Sequence, residues 1–203
     1  ADASVRDLRA ITDDLRWTCA GQLPRLRREA DPDDLDDALL AGRTAAGLLA
    51  YHAVMARGTD GRRRWECGAG IRDTMMAENL HVLADRGPTL VFAHNQHLQT
   101  GSTTPRWQPA GAHVADRVGR DYHVIACALG EAARHGIPEP EPDSIEGVLH
   151  HDLPPGIHLL SAPALQALRR GRPTRSTPGP RYLPIDDTLL AHVDQVLFLR
   201  TIG

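Results

Sequence analysis

Lysine is absent from all 203 residues, so each of the 23 basic side chains is an arginine. Against 26 acids this leaves a formal net charge of -3, which removes any general attraction to nucleic acid or to an anionic membrane surface. An arginine-only complement reads as the coding bias of a GC-rich bacterial genome more than as a binding device. Aromatics make up only 4% of the chain, so the core has to be assembled from Leu, Val and Ala. The length suffices for one ordinary domain with a sizeable core. Cysteine is scarce too: Cys19, Cys67 and Cys127 are odd in number and widely spaced, with no C-x-x-C pair. That argues against a zinc ribbon or a disulfide framework and fits three reduced thiols in a cytoplasmic protein. No base neighbours any of them, and Cys127, inside an apolar run, is expected to be packing. No apolar run approaches membrane-spanning length and no signal peptide opens the chain, so no membrane is expected. No internal repeat or low-complexity tract is evident.

Helices come first. Val5, Leu8, Ile11 or Thr12, Leu15, Cys19, Leu23 and Leu26 recur at helical spacing, which predicts an amphipathic helix burying one stripe. Asp31-Pro32-Asp33-Asp34 is a helix start: an Asp cap, Pro at the first position and acids where the dipole favours them. Five Asp residues between 31 and 37 lack the spacing and Gly of a calcium loop, so they read as a charged helix start. Gly58 to Arg64 reads as a basic, solvated connector. Ala110 to Gly119 is expected to be a short helix, Tyr122 to Leu129 a buried strand, and Gly136 to Pro155 a connection rich in Pro, Glu and Asp. His150 and His151 lie in that connection, and adjacent histidines point apart on most backbones. Gly156 to Ser161 predicts a strand, Pro163 to Arg170 a helix, Gly171 to Pro180 a locally basic loop continuing to Arg181, and Gln195 to Arg200 a last strand.

Chemistry concentrates between Ile71 and Gly101. Ile71 to Ala84 has helical periodicity, Gly87-Pro88 stops it, and Thr89 to Ala93 is an apolar run of the kind that makes a buried strand. Arg72, Met76 and Asn79 share one helical face, where an arginine and an amide need partners. Then come His94, Asn95, Gln96 and His97 at the carboxyl end of the expected strand, where open α/β sheets place their ligands. His94 and His97 could be structural, could ligate a metal given a third ligand, or could transfer protons near neutral pH. Asn95 could orient an imidazole or donate to an oxyanion, and Arg72 could hold an anion or pair with Asp73 or Glu78. In the loop Gly101 to Pro109, Ser102 lacks the G-x-S-x-G turn of a nucleophile, Thr103 and Thr104 lie beside it, and Trp107 is expected to line or cover a pocket.

The ordered pair Arg72-Asp73-x-x-Met76-x-x-Asn79 and Ala93-His94-Asn95-x-His97 resembles the erythromycin esterase family. The resemblance implies metal-independent hydrolysis, typified by opening of macrolide lactones, with a histidine as general base for water and no cofactor. Catalytic candidates are then His94, Asn95, His97 and Arg72, with Asp73, Met76, Asn79 and Trp107 as substrate-binding candidates and a small molecule as partner. The family's Gly-Glu-x-x-His-Gly motif, which carries the basic histidine, has no counterpart in these residues. The expectation is therefore a carboxyl-terminal part of the family, whose missing amino-terminal part would be a further partner. Non-catalytic small-molecule binding and a metal-dependent hydrolase using His94 and His97 stand as alternatives.

Strands separated by helices predict an α/β fold: a mixed, largely parallel sheet flanked by helices, with an amino-terminal helical layer or lid. The expected organisation is one domain over 1-203, with 1-57 as the helical layer and 58-203 as the α/β part.

Overall fold

The computed structural model describes residues 3–57, 60–102, 106–176 and 182–202. Thr103, Thr104 and Arg181 lie outside them, as do parts of the expected connector at 58–64 and of the loop at 171–180. The chain divides into two compact units, Ala1–Val91 with Thr104–Ala110, and Phe92–Thr103 with Gly111–Gly203.

The first unit is a layer of three long helices, α1 (Ala3–Glu29), α2 (Pro32–Met55) and α3 (Gly61–Ala84). The start of α2 is the one its sequence predicts: the Asp31 carboxylate accepts from the amides of Asp33 and Asp34, and Pro32 opens the helix. For α3 the cap is Asp60, which accepts from the Arg63 amide, so the helix begins at Gly61 and absorbs most of the expected connector. Gly87, at a φ of 139°, takes the backbone out of the helix as the Gly-Pro pair predicts. α2 and α3 approach closely through two glycines. A Cβ on Gly47 would collide with Met75, and one on Gly68 would lie 2.9 Å from the Met55 sulfur. The stripe of α1 behaves differently from expectation. Val5, Thr12, Cys19, Leu23 and Leu26 are half-buried, while Leu8, Ile11 and Leu15 remain exposed. The reason is geometric: α1 has α2 as its neighbour and only a narrow stripe of a helix can face one partner. Among the described residues α2 is long and apolar enough, by length and composition alone, to cross a membrane, which qualifies the expectation that no such run exists.

The second unit holds a three-stranded sheet in the order β1-β3-β2, formed by β1 (Ile125–Glu131), β2 (Ile157–Ser161) and β3 (Gln195–Thr201). β1 pairs with β3 in parallel, with Cys127 opposite Leu197, and β2 pairs with β3 antiparallel, with Leu159 opposite Leu197. This corrects the expected largely parallel sheet: the architecture is α/β with a small mixed sheet flanked by helices. Two causes combine. β2 enters as an antiparallel edge strand, and Thr89 to Ala93, expected as a buried strand, has no regular secondary structure and pairs with no strand among the described residues. Leu90 is 99% exposed and Phe92 94%. An apolar run becomes a strand only when a neighbour takes up its backbone hydrogen bonds.

One face of the sheet is closed by the core. Ala126, Ala128, Val196 and Phe198 pack against Ile145 and Leu149 of α6 (Ile145–Asp152), Leu165 of α7 (Ala162–Arg169), Leu189 and Leu190 of α8 (Asp187–Ala191), and Ile185. The opposite face shows Ile125, Ile157 and Leu159 exposed. Cys127 alternates onto that face and is exposed rather than packed, as the two-residue period of a strand requires once Ala126 and Ala128 point inward. α4 (Asn95–Leu98) and α5 (Ala110–Val118) precede β1 in the chain, and α6 lies inside the segment expected to be a connection. Ser144 caps it by accepting from the Gly147 amide, and the short-range signal was obscured by the Pro- and acid-rich residues before it.

Candidate functional site

In the second unit His94 caps a single helical turn, α4 (Asn95–Leu98), with its Nδ1 accepting from the Gln96 amide at 3.2 Å. A neutral imidazole whose Nδ1 accepts carries its proton on Nε2, so that nitrogen is a donor. His97 follows on the same turn, its ring centroid 6.4 Å from that of His94 and its plane at 68° to it. His94 is exposed and His97 half-buried.

The turn is anchored from beneath at four points. Asn95 spends its amide on the edge of β1: Nδ2 donates to the Cys127 carbonyl at 2.7 Å and Oδ1 accepts from the Cys127 amide at 2.9 Å. A side chain thus takes the place of a neighbouring strand at that edge, and Asn95 acts here as a clamp. The Leu98 carbonyl accepts from the Tyr122 hydroxyl at 2.6 Å. Burial, and secondarily the Asp194 carboxylate, push that phenol up to about 12, so it remains a donor across the physiological range. The Thr100 amide donates to the His192 carbonyl, and Gly111 comes so near the Leu98 carbonyl that any side chain at 111 would displace it. A four-residue helix has little stability of its own, and these ties fix the direction of its two imidazoles.

In the first unit the other half of the recognised pattern lies on α3. Arg72, Met76 and Asn79 share a half-buried face, as their spacing requires. Asn79 donates from Nδ2 to the Thr44 hydroxyl of α2 at 3.1 Å. Asp73 is fully buried and accepts a short hydrogen bond from the Trp107 indole, and Trp107, itself buried, stacks edge-on against Trp65 with centroids 5.6 Å apart. Trp107 is therefore a partner to a buried carboxylate.

Residues that sequence reasoning passed over include Glu66, one turn-pair before Asp73 on the same ridge. Its side chain is 7% exposed, with Arg62 at 3.1 Å and Arg106 at 3.7 Å. The signal was available in the spacing, since Glu66, Ala69, Asp73 and Ala77 recur as one helical ridge, and all four are buried. A second omission is Glu146 in α6, fully buried, which accepts from the Ile185 amide at 2.7 Å and from the Tyr182 hydroxyl at 3.2 Å. Burial pushes its carboxyl above the usual carboxylate range, the Ile185 amide offsetting this in part. Arg175 lies over the Tyr182 ring at 5.1 Å and donates to the carbonyls of Leu129 and Pro138. His150 and His151 sit on α6 with Nε2 atoms 3.8 and 3.6 Å from one Glu139 oxygen. Among the described residues no group of three or more His, Cys, Asp and Glu side chains is placed to hold a metal ion.

An α/β unit carrying a clamped histidine turn, together with a helical unit carrying a buried Asp-Trp pair, defines a class of fold before it defines a family. The model of the erythromycin esterase family matches residues 2–202, and the chain belongs to that family. That span overturns the expectation of a likeness confined to the family's carboxyl-terminal part. A protein of known crystal structure from Bacillus cereus superposes with a TM-score of 0.72 at 12% identity, covering 99% of this chain and 53% of the other. A succinoglycan biosynthesis protein superposes with a TM-score of 0.59 at 17% identity, covering 97% and 53%. At those identities the likeness is one of fold, and the chain spans about half the length of both solved structures. No curated protein matches the sequence.

Proposed function

We propose that the protein is a carboxylic-ester or lactone hydrolase whose reacting groups are His94 and His97. The observation that carries the assignment is the hydrogen bond from the Gln96 amide to His94 Nδ1, because it puts the proton of the neutral ring on Nε2. In this reading His94 Nε2 donates to the carbonyl oxygen as water adds, and negative charge grows there. His97 accepts the proton released by the attacking water. The tetrahedral intermediate then collapses, the carbon–oxygen bond to the leaving alcohol breaks, and the alcohol takes a proton from the imidazolium. Family membership supports the esterase chemistry, and macrolide lactones are the substrate class that the family's name brings forward.

The test is hydrolysis of p-nitrophenyl esters and of a 14-membered macrolide by the wild-type protein and by His94→Ala and His97→Ala. Each substitution is expected to lower kcat by about 10²–10⁴-fold, the range for one lost acid–base group. Unchanged turnover in His94→Ala would remove that residue from the reaction. Saturable heat of binding without turnover in the wild type would instead support a binding module.

A further inference from the structure

Within the first unit the three long helices leave a groove of about 750 Å³, floored by α2, with α1 and α3 as its walls and Arg106 among its lining residues. Its lining is strongly charged and mostly of one sign. Arg9 and Arg16 reach it from α1, Arg43 from α2, and Arg57 and Arg106 from the segments beyond α2 and α3, against Asp13 and Glu78 alone. Arg106 already has Glu66 at 3.7 Å. Arg43 is the one charged residue of α2 between Asp37 and His52, and its Nε and Nη2 atoms are buried with no hydrogen-bond partner among the described residues. Buried donors in native proteins are almost always satisfied, so an orphaned pair on one guanidinium needs a cause. Nε and Nη2 form one edge of that plane, the edge that grips a carboxylate or a phosphate with two parallel hydrogen bonds, and because both atoms are buried the side chain has to turn to offer that edge to the groove.

We propose that this groove binds an oxyanion, a phosphate or carboxylate group of a small molecule, gripped by Arg43, with Arg9 and Arg16 supplying long-range attraction. The lining includes neither of the proposed hydrolytic histidines, His94 and His97. α3 contributes Ile71, Thr74, Met75 and Glu78 to the groove, while Arg72, Asp73, Met76 and Asn79 lie round the helix from them. On α1 the groove residues flank one side of the stripe that faces α2, and the exposed Leu8, Ile11 and Leu15 flank the other. Charge and hydrocarbon are thus sorted onto different flanks of one helix. Asp13 and Glu78 bias the groove toward anions that arrive with few charges, since their own repulsion opposes a polyanion spread along its length.

Isothermal titration of the whole chain at low ionic strength, with inorganic phosphate in one arm and citrate in the other, tests the site, with chloride at matched ionic strength as control. Saturable binding of one equivalent is expected, and the arm that binds more tightly assigns phosphate or carboxylate as the favoured group. Arg43→Met should weaken binding by about tenfold or more, and Arg43→Lys, which keeps the charge and loses the planar edge, by a smaller factor. Arg25→Gln, at an exposed residue paired with Glu29 outside the groove, should leave it unchanged. Circular dichroism and thermal melting establish that each variant is folded. Should Arg43→Met fail to fold, Arg9→Gln and Arg16→Gln at exposed positions carry the test, each expected to weaken binding severalfold. Absence of saturable binding of both probes, or equal affinity in folded Arg43→Met, overturns the proposal.

Discussion

The two units solve the problem of burial in different ways. In the α/β unit the interior is bulky and branched: Phe198, Ile145, Ile185, Leu190 and Val196 are all sealed from solvent, and the buried Glu146 has two donors directed at it. In the helical unit the buried apolar side chains among those described are four alanines, Pro109 and Trp107, and two of the alanines, Ala69 and Ala77, share a ridge of α3 with the buried Glu66 and Asp73. Large side chains stabilise by area, whereas small ones let backbones approach and leave stability to a few specific contacts. The sheet unit therefore owes its shape to a hydrophobic cluster that tolerates little change. The helical layer depends on the Gly47 and Gly68 crossings and on the Trp107–Asp73 bond, and its open flanks are available for chemistry.

The comparison breaks first, if it breaks at all, at Phe198. Truncation to Ala removes the largest sealed side chain of the sheet unit and should cost about 3–5 kcal/mol, read as a fall in the urea midpoint. A loss under about 1 kcal/mol would mean that the cluster does not carry the unit. In the helical layer the strongest single change should be polar. Trp107→Phe keeps a ring but withdraws the donor from a fully buried carboxylate, and should cost about 1.5–3 kcal/mol by the same measurement. If Asp73→Asn in the same background recovers most of that loss, the cost is that of a hydrogen bond withdrawn from the buried carboxylate and not of lost packing.

Glu146 gives a pH-dependent version of the contrast. Its folded carboxyl titrates above the ordinary value of 4.5, so the native state keeps a proton that the unfolded chain has released. The associated stability is fully present below the unfolded value and is lost as pH rises through the folded one. Glu146→Gln keeps a neutral side chain of the same shape and cannot titrate. Over a pH series of urea melts upward from 4.5, the wild type should fall relative to the variant, whereas parallel curves would show that burial does not hold the proton.

Local signals made much of the fold legible. The Asp31-Pro32 start, the Gly87-Pro88 stop and the apolar runs of β1 and β3 each depend on residues within a turn or two, and each is present, β1 starting at Ile125 where Tyr122 was expected. Features with distant partners were hidden. Asn95 was visible as a polar residue at the end of an expected strand, but its bond to the Cys127 backbone spans 32 positions, and Trp107 reaches Asp73 across 34. The direction of β2 and the lack of a pairing partner for Thr89 to Ala93 are likewise properties of neighbours, and a two-residue alternation is silent about who the neighbour is. The histidine turn was found because its residues are contiguous; the charged groove was missed because its arginines come from three separate stretches of chain.

The smallest expected effect is the most discriminating between the two units. Leu15 in α1 is 60% exposed, while Leu189 in α8 is 3% exposed, and the same Leu→Ala change can be made at both. At 189 the loss of transfer energy and the cavity left behind should together cost about 2–5 kcal/mol. At 15 there is no cavity to leave and most of the hydrocarbon already meets water, so the change should fall within about 0.5 kcal/mol. The two melts share a chain, a substitution and a probe, so only the environment differs between them. A Leu15→Ala cost near that of Leu189→Ala would show that the exposed stripe of Leu8, Ile11 and Leu15 is covered in solution. A concentration series of that variant and the wild type would then reveal whether a second copy covers it, since only self-association makes the melting midpoint depend on protein concentration.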